Sequence, residues 1–178
     1  MRLHMLLIAA ALAGGGIHLA LAAPHHASSP HATHAAAGPT ELGRFADWTA
    51  ARYQHDGQTV CYAFTRARSA QPASGTAPLL TVTERPASRD EVAITNNAPY
   101  PKGASVIMQV GQTGLDFYTA SSDAFARDGK ATVAALRHGS QAIARGPGTA
   151  TARQTDVFSL QGFAPALEAI LKACPARS

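Results

Sequence analysis

The sequence predicts a mainly β domain, an antiparallel β-sandwich or a barrel-like sheet, with two short helices of which one is C-terminal. The first observation is that short segments of alternating apolar and polar residues follow one another from Phe45 onward. The second is that clusters of glycine, proline, asparagine and aspartate separate these segments. The third is that apolar residues recur at helical spacing in only two segments.

Residues 1 to 22 have the pattern of a secretory signal peptide. Arg2 precedes an apolar run from Met5 to Ala13, and Ala20-Leu21-Ala22 supplies the small residues of a cleavage site, so we expect the cut after Ala22. No cysteine lies at the cut, which argues against a lipid anchor, and no later segment is long and apolar enough to span a membrane. The mature chain is therefore expected in the periplasm.

The mature chain has the size of one domain. About 155 residues remain after cleavage, which is enough for a core that does not depend on a metal or on disulfides. The full chain has 15 basic and 11 acidic residues, and its basic residues are scattered singly. Nucleic-acid binding requires a basic stripe or patch, so the composition argues against that class of partner.

Residues 23 to 40 form a predicted disordered linker before the domain at 41 to 178. The linker sequence, "APHHASSPHATHAAAGPT", contains no large apolar residue that could be buried. Its four histidines could chelate zinc, copper or nickel weakly, but a specific site requires ligands held on a folded frame. A solvated spacer is the favoured interpretation for His25, His26, His31 and His34.

Eight segments have the pattern of a strand. They are Trp48 to Tyr53, Thr59 to Thr65, Leu79 to Glu84, Glu91 to Thr95, Ser105 to Val110, Leu115 to Thr119, Gln141 to Ala144 and Asp156 to Leu160. The turn signals between them are "HDGQ" at His55 to Gln58, "NNAPYPKG" at Asn96 to Gly103, "GQTG" at Gly111 to Gly114 and "GPG" at Gly146 to Gly148. Arg66 to Pro78 is predicted to be a long loop.

Two helices complete the predicted domain. The first runs from Gly129 to His138, with Asp128 as N-cap and Gly139 as the stop. The second begins at Phe163, and its apolar stripe ends in a cysteine. The members of that stripe are Phe163, Leu167, Ile170, Leu171 and Cys174.

Cys61 and Cys174 are the two cysteines of the chain. In an oxidising compartment two cysteines of one exported domain are expected to pair, and this bond would attach the terminal helix to the second predicted strand. The geometry then requires a Cα separation of about 4.4 to 6.8 Å. The alternative is two separate buried thiols, because free cysteine also buries well.

The sequence marks no catalytic site. Ser159 lies where a strand gives way to a helix, but Val157 and Gln161 stand where a nucleophile elbow needs glycine. His55 and His138 are candidate general bases, although one lies in a turn and the other at a helix end where a cation is favourable. Trp48, the single tryptophan, is either a core anchor, which its neighbourhood favours, or part of a binding surface.

Six short motifs, in this order, resemble the invasion-associated locus B family of exported proteins from Gram-negative bacteria. The motifs are "FADW" at Phe45 to Trp48, "CYAF" at Cys61 to Phe64, "VTERPASRDEV" at Val82 to Val92, "ALRHG" at Ala135 to Gly139, "TDVFSLQGF" at Thr155 to Phe163, and the closing Cys174. The resemblance implies an exported β domain and transfers no catalytic residue.

The sequence thus favours a non-enzymatic periplasmic or envelope-associated binding protein with no cofactor, and the resemblance adds a role in host interaction. One alternative is a hydrolase that uses a histidine of the domain. Another is metal binding through the histidines of the linker. Convergence of a histidine, a carboxylate and a hydroxyl in one pocket would favour the hydrolase, whereas an exposed aromatic groove would favour binding.

Overall fold

The computed structural model describes residues 38–73, 75–148 and 153–177. The predicted signal peptide and most of the predicted linker, with its four histidines, lie outside the described residues. The strands are β1 Thr40–Phe45, β2 Trp48–His55, β3 Gln58–Arg66, β4 Ser69–Gln71, β5 Leu79–Arg85, β6 Ser88–Thr95, β7 Ser105–Val110, β8 Thr113–Ala120, β9 Asp123–Ala126, β10 Gln141–Pro147 and β11 Arg153–Ser159. The helices are α1 Gly129–His138 and α2 Phe163–Ala173.

The eleven strands form one antiparallel sheet in the order β1-β2-β3-β5-β6-β9-β8-β7-β10-β11-β4. The sheet is not closed, so β1 and β4 are its edges. β4 follows β3 in the chain but pairs with β11, and just before β4 the Arg68 N–H donates to the Val157 carbonyl at 2.8 Å. The sheet therefore curls until the end of β3 meets β11, and its inner face encloses the core.

The predicted mainly β fold with two helices is confirmed. Every predicted strand is present with ends that differ by a few residues, and α1 has the predicted bounds. Asp128 caps α1, because its side chain accepts a hydrogen bond from the Ala131 N–H at 2.9 Å, and the Gly139 N–H donates to the Ala135 carbonyl where the helix ends. β1, β4 and β9 were not predicted, and β1 begins at Thr40, the last residue of the predicted linker.

The core lies between the inner face of the sheet and α2. The helix buries one stripe against the first strands of the sheet, formed by Phe163, Ala166, Leu167 and Ile170. Trp48 is fully buried there, its ring centroid lies 4.7 Å from that of Phe163, and its indole N–H donates to the Ser159 carbonyl at 3.0 Å. Trp48 is thus a core residue and lies on no exposed binding surface.

A disulfide joins Cys61 on β3 to Cys174 at the end of α2. The Cα atoms are 5.9 Å apart, inside the predicted range, and 113 positions separate the two residues. Arg89 adds a second link, because its guanidinium donates to the Cys174 carbonyl at 2.6 Å. The C-terminal end of α2 is therefore attached to the sheet by a covalent bond and by a hydrogen bond.

Within the described ranges, no helix combines the length and the apolar character needed to cross a membrane.

Candidate functional site

Ser159 is a buried polar contact near the start of α2. Its hydroxyl donates to Asp47 Oδ2 at 2.6 Å, and Arg68 also bonds to this carboxylate. These two donors lower the pKa of Asp47, with Ser159 having the larger effect. No histidine takes part in this group of contacts among the described residues. The arrangement holds the β1–β2 turn against β11.

The two domain histidines lie apart from this group. The His55 side chain is 68% exposed, and its Nε2 lies 3.5 Å from Asp56 Oδ2 in the β2–β3 turn. His138 is exposed at the end of α1, beside a cavity of about 300 Å³ that Ser140 also lines but no carboxylate does. In the part of the chain that the structure describes, no group of three histidine, cysteine, aspartate or glutamate side chains could hold a metal ion.

A small cleft with amide and apolar walls opens at one end of the curled sheet. It lies beside Pro72 after β4, residues 96–100 after β6, and Pro147 and Gly148 at the end of β10. The cleft has a volume of about 60 Å³ and is lined by Pro72, Asn96, Asn97, Ala98, Pro99, Tyr100, Pro147, Gly148 and Gln154. The mouth of a curled sheet is a common place for ligand sites, because side chains from several loops converge there.

Two amides at the cleft are held in one orientation. Asn96 Nδ2 donates to Gln154 Oε1 at 3.1 Å, and Gln154 Nε2 donates back to Asn96 Oδ1 at 2.8 Å. Gln154 Nε2 also donates to Asp156 Oδ2 at 2.9 Å. An ionised carboxylate only accepts hydrogen bonds, so Asp156 fixes which end of the Gln154 amide carries the nitrogen. We call this arrangement the anchored amide pair.

Asp156 lies beneath the anchored amide pair. Asp156 and the core residue Phe158 are two residues apart on β11, so their side chains lie on the same, inward face. Asp156 is only 3% exposed. Burial raises its pKa to about 6, although the Gln154 N–H opposes the shift. Its Oδ1 atom has no hydrogen-bond partner among the described residues. At neutral pH the cleft therefore lies above a buried carboxylate without a counter-ion.

Tyr100 stands at the wall of the same cleft. Burial is the largest cause that raises the pKa of Tyr100, and the charges of Asp156 and Asp123 raise it further. The Tyr100 hydroxyl therefore stays neutral. Asp123 is held by Thr95, whose hydroxyl donates to Asp123 Oδ1 at 2.6 Å. A phenol and two oriented amides thus line this mouth, and Asp156 is bonded to one of those amides from beneath, an arrangement suited to holding a small polar group.

No local pattern singles out these residues. "NNAPYPKG" has the pattern of a turn, and Asp156 to Leu160 has the pattern of a strand. A signal was nevertheless present, because Gln154 and Asp156 precede Phe158 at intervals of two and therefore share its inward face. Polar residues at inward strand positions require partners, and such partners converge at functional sites as well as at structural ones.

A second surface lies on the outer face of β2, β3 and β5. The rings of Tyr53, Tyr62 and Phe64 form a row with centroid distances of 5.7 and 5.8 Å. A groove of about 300 Å³ runs beside this row, with Val60 among its lining residues. The three rings are half-buried, so this face is not an exposed aromatic groove. Its lining includes Arg85, whose guanidinium donates to Glu91 Oε2 at 3.1 Å.

The fold is similar to that of a solved bacterial protein. The crystal structure of invasion associated protein B from Bartonella henselae matches with a TM-score of 0.55 and 17% sequence identity, and the match covers 74% of this chain and 95% of that chain. No protein-family model and no curated protein matches the sequence. The order of six motifs implied this likeness, and the structure shows that the chain has the fold of invasion associated protein B.

Proposed function

We propose that this chain is an exported, non-enzymatic binding protein of the bacterial envelope, and that the cleft at the mouth of the curled sheet is its ligand site. The observation that carries the proposal is the anchored amide pair above Asp156. Its hydrogen-bonding atoms are already oriented in the free protein, so these side chains lose little conformational entropy when a ligand binds.

Export is supported by the disulfide and by the N-terminal pattern. Disulfides persist in oxidising compartments such as the periplasm, and Cys61 and Cys174 are joined here. Fractionation of cells should find the protein in the periplasm with Ala23 as its first residue, which N-terminal sequencing would detect. A chain that keeps Met1 and stays in the cytoplasm would contradict this part of the proposal.

The fold likeness supports a role at the bacterial surface. The similar crystal structure is named as an invasion associated protein, and the six motifs resemble the family that bears this name. We propose by this likeness that the ligand belongs to the envelope or to a host that the bacterium meets.

The binding proposal is tested by filling the cleft. Ala98 is half-buried and lines the cleft, so Ala98→Trp should occupy the space of about 60 Å³ without touching the core. Thr113→Trp, at the exposed first residue of β8, is the matched control. Immobilised mature protein would be incubated with envelope extract, and the retained compounds would be identified by mass spectrometry.

The wild type and Thr113→Trp are expected to retain a compound that Ala98→Trp does not. The proposal is overturned if all three proteins retain the same compounds in the same amounts. Circular dichroism of each variant establishes that it is folded, so that a loss of binding reports on the cleft alone.

A further inference from the structure

We infer that the cleft binds a protonated primary amine at the end of a slim alkyl chain, such as a lysine side chain or a free alkylamine. This inference rests on the proposed function, because it names the ligand class of the same site. It begins from Asp156, a carboxylate that is 3% exposed and whose Oδ1 has no partner among the described residues.

The charge at the cleft favours a cation. Asp156 lies beneath the anchored amide pair, and Asp123 acts with it on Tyr100. The lining contains no lysine or arginine. Lys102 and Arg153 are nearby in the chain, but both are exposed and neither lines the cleft. A buried carboxylate without a counter-ion is costly, so a cation that approaches it gains more than it would in water.

The free hydrogen-bonding positions also match an ammonium group. Asn96 Oδ1 and Gln154 Oε1 each accept one hydrogen bond within the anchored amide pair, which leaves the second lone pair of each oxygen unused. An ammonium group has three donors and no acceptor, so it can donate to either oxygen. A phosphate or carboxylate could accept from the second N–H of Asn96, but it would approach the buried negative charge of Asp156.

The size of the cleft limits the ligand to a narrow end group. A volume of about 60 Å³ holds a few water molecules, which is far below the several hundred Å³ of a site for a whole drug-sized molecule. Part of the cleft wall is apolar and is formed by Pro99, Tyr100 and Pro147. This wall can contact the methylene groups next to the ammonium group of the ligand. A planar guanidinium is broader than an ammonium, so arginine should bind less well.

The experiment titrates the 15N-labelled mature chain with n-butylammonium at pH 7.5 and follows the side-chain amide signals of Asn96 and Gln154. These signals should shift and saturate, whereas n-butanol, which has similar shape and no charge, should leave them unchanged. Asp156→Asn should weaken butylammonium binding by about tenfold or more, the loss expected for a charge-assisted contact. Asp116→Asn removes one exposed carboxylate elsewhere and should have no effect.

The wild type gives a second test that needs no substitution. Butylammonium stays protonated at pH 5, whereas Asp156 becomes neutral, so binding should weaken between pH 7.5 and pH 5. The charged groups around Asp156 are few: Tyr100 remains neutral at both values, Asp123 faces Tyr100, and the paired residues on β10 and β4 are alanines. The pH test therefore decides the matter even if Asp156→Asn does not fold.

Two further arms identify the source of the amine. Nα-acetyl-lysine methylamide represents a lysine within a protein, and N-methylguanidinium represents arginine. Binding of the lysine compound as well as butylammonium indicates a protein partner, whereas binding of butylammonium alone indicates a free amine. The inference is overturned if butanol binds as well as butylammonium, if Asp156→Asn binds as well as Asp116→Asn, or if the guanidinium binds best.

Failure of this inference differs from failure of the proposed function. One outcome is that Ala98→Trp abolishes retention of an envelope compound but butylammonium does not bind. This result would support the cleft as the ligand site and contradict its specificity for amines. The other outcome is that butylammonium binds but Ala98→Trp retains the same envelope compounds as the wild type. This result would support the amine site and contradict the proposed role in binding envelope compounds.

Discussion

Two carboxylates occupy inward strand positions, and they differ in their partners. Asp156 faces amides, whereas Glu84 on β5 is fully buried beside Arg89, whose Nε lies 2.7 Å from Glu84 Oε2. The Glu84 Oε2 atom nevertheless has no hydrogen bond among the described residues, so the contact is a charge pair without good donor geometry. Burial raises the pKa of Glu84 to about 7, although Arg89 opposes the shift.

Glu84 should make the stability of the protein depend on pH. Its pKa is about 7 in the folded state and 4.5 ordinarily, so the folded state holds this proton more tightly and loses stability as pH rises from 4.5 to 7. The loss is on the order of 3 kcal/mol at most. Glu84→Gln should remove this slope, which urea unfolding at pH 6 and pH 8 would measure.

The control for that measurement is Glu91→Gln, since Glu91 is 40% exposed and pairs with Arg85 at the surface. Asp156 also makes the free energy of unfolding fall as the pH rises, but it does so between pH 3.8 and about 6. That range lies below the two pH values that are compared. An unchanged difference between pH 6 and pH 8 in Glu84→Gln would contradict the assignment to Glu84.

At this scale the sequence predicted the residues whose chemistry is distinctive. Cys61 and Cys174 paired as expected, and Trp48 entered the core. Asp156 and Glu84 were not predicted as buried acids, because strand alternation identifies a strand without showing whether a polar residue on its inward face is buried. Their partners come from other strands and loops, and no local pattern contains that information.

The element that depends most on its two ends is α2. It begins after Gly162, whose φ of +88° belongs to the left-handed region, and a Cβ there would lie 1.8 Å from the Phe45 carbonyl oxygen. It ends at the disulfide and at the hydrogen bond from Arg89. The helix is thus held against β1 at its start and against β3 at its end.

Gly162→Ala should destabilise the protein by more than about 2 kcal/mol, because left-handed strain and a backbone clash act together. Gly114→Ala is the matched control, since an added Cβ there meets only Gln109 Oε1 at 4.0 Å. Thermal unfolding followed by circular dichroism would compare them. Equal melting temperatures for the two variants would show that the close contact with Phe45 is not required.

Removal of the disulfide should act mainly on the unfolded chain. In the chain-entropy model a loop closed over 113 positions is worth about 4 to 5 kcal/mol, so Cys61→Ala combined with Cys174→Ala should lower the free energy of unfolding by up to that amount. Chemical denaturation of the double variant measures the loss. The reduced wild type should behave like the double variant, and a double variant as stable as the oxidised protein would contradict this account.

Elements with strong local patterns were predictable, whereas strands that are short or lack a clear alternation were not. α1 has the predicted bounds because its cap, its apolar spacing and its stop all lie within one segment. β4 has three residues and β9 has four, so neither shows an alternation long enough to identify. β1 contains Gly43 and two charged residues, and its strand conformation follows from pairing with β2.

The strand order belongs to the whole molecule. Periodicity predicts that strands exist but not which strands pair, and the crossing from β3 to β4 beside β11 could not be foreseen from it. The same crossing helps to assemble the cleft, since Pro72 follows β4 while Gln154 lies on β11. The fold class could therefore be predicted from the sequence. The residues that form the cleft could not, because the strand order brings them together.

Deletion of residues 23 to 38 from the mature chain should leave the melting temperature nearly unchanged, because this composition offers little to bury. The same deletion should remove any retention on immobilised nickel, since it removes His25, His26, His31 and His34 together. A fall of many degrees would mean that the segment packs on the domain. Nickel retention that survives the deletion would point to His55 or His138.

The long span between the bonded cysteines has a consequence for biogenesis. If the proposed export runs from the N-terminus, Cys61 reaches the oxidising side 113 positions ahead of Cys174. The native bond then waits until Cys174 has also crossed, and meanwhile Cys61 is a thiol open to capture by an oxidase. Chains stalled between these two positions would be distinguished by a reactive Cys61.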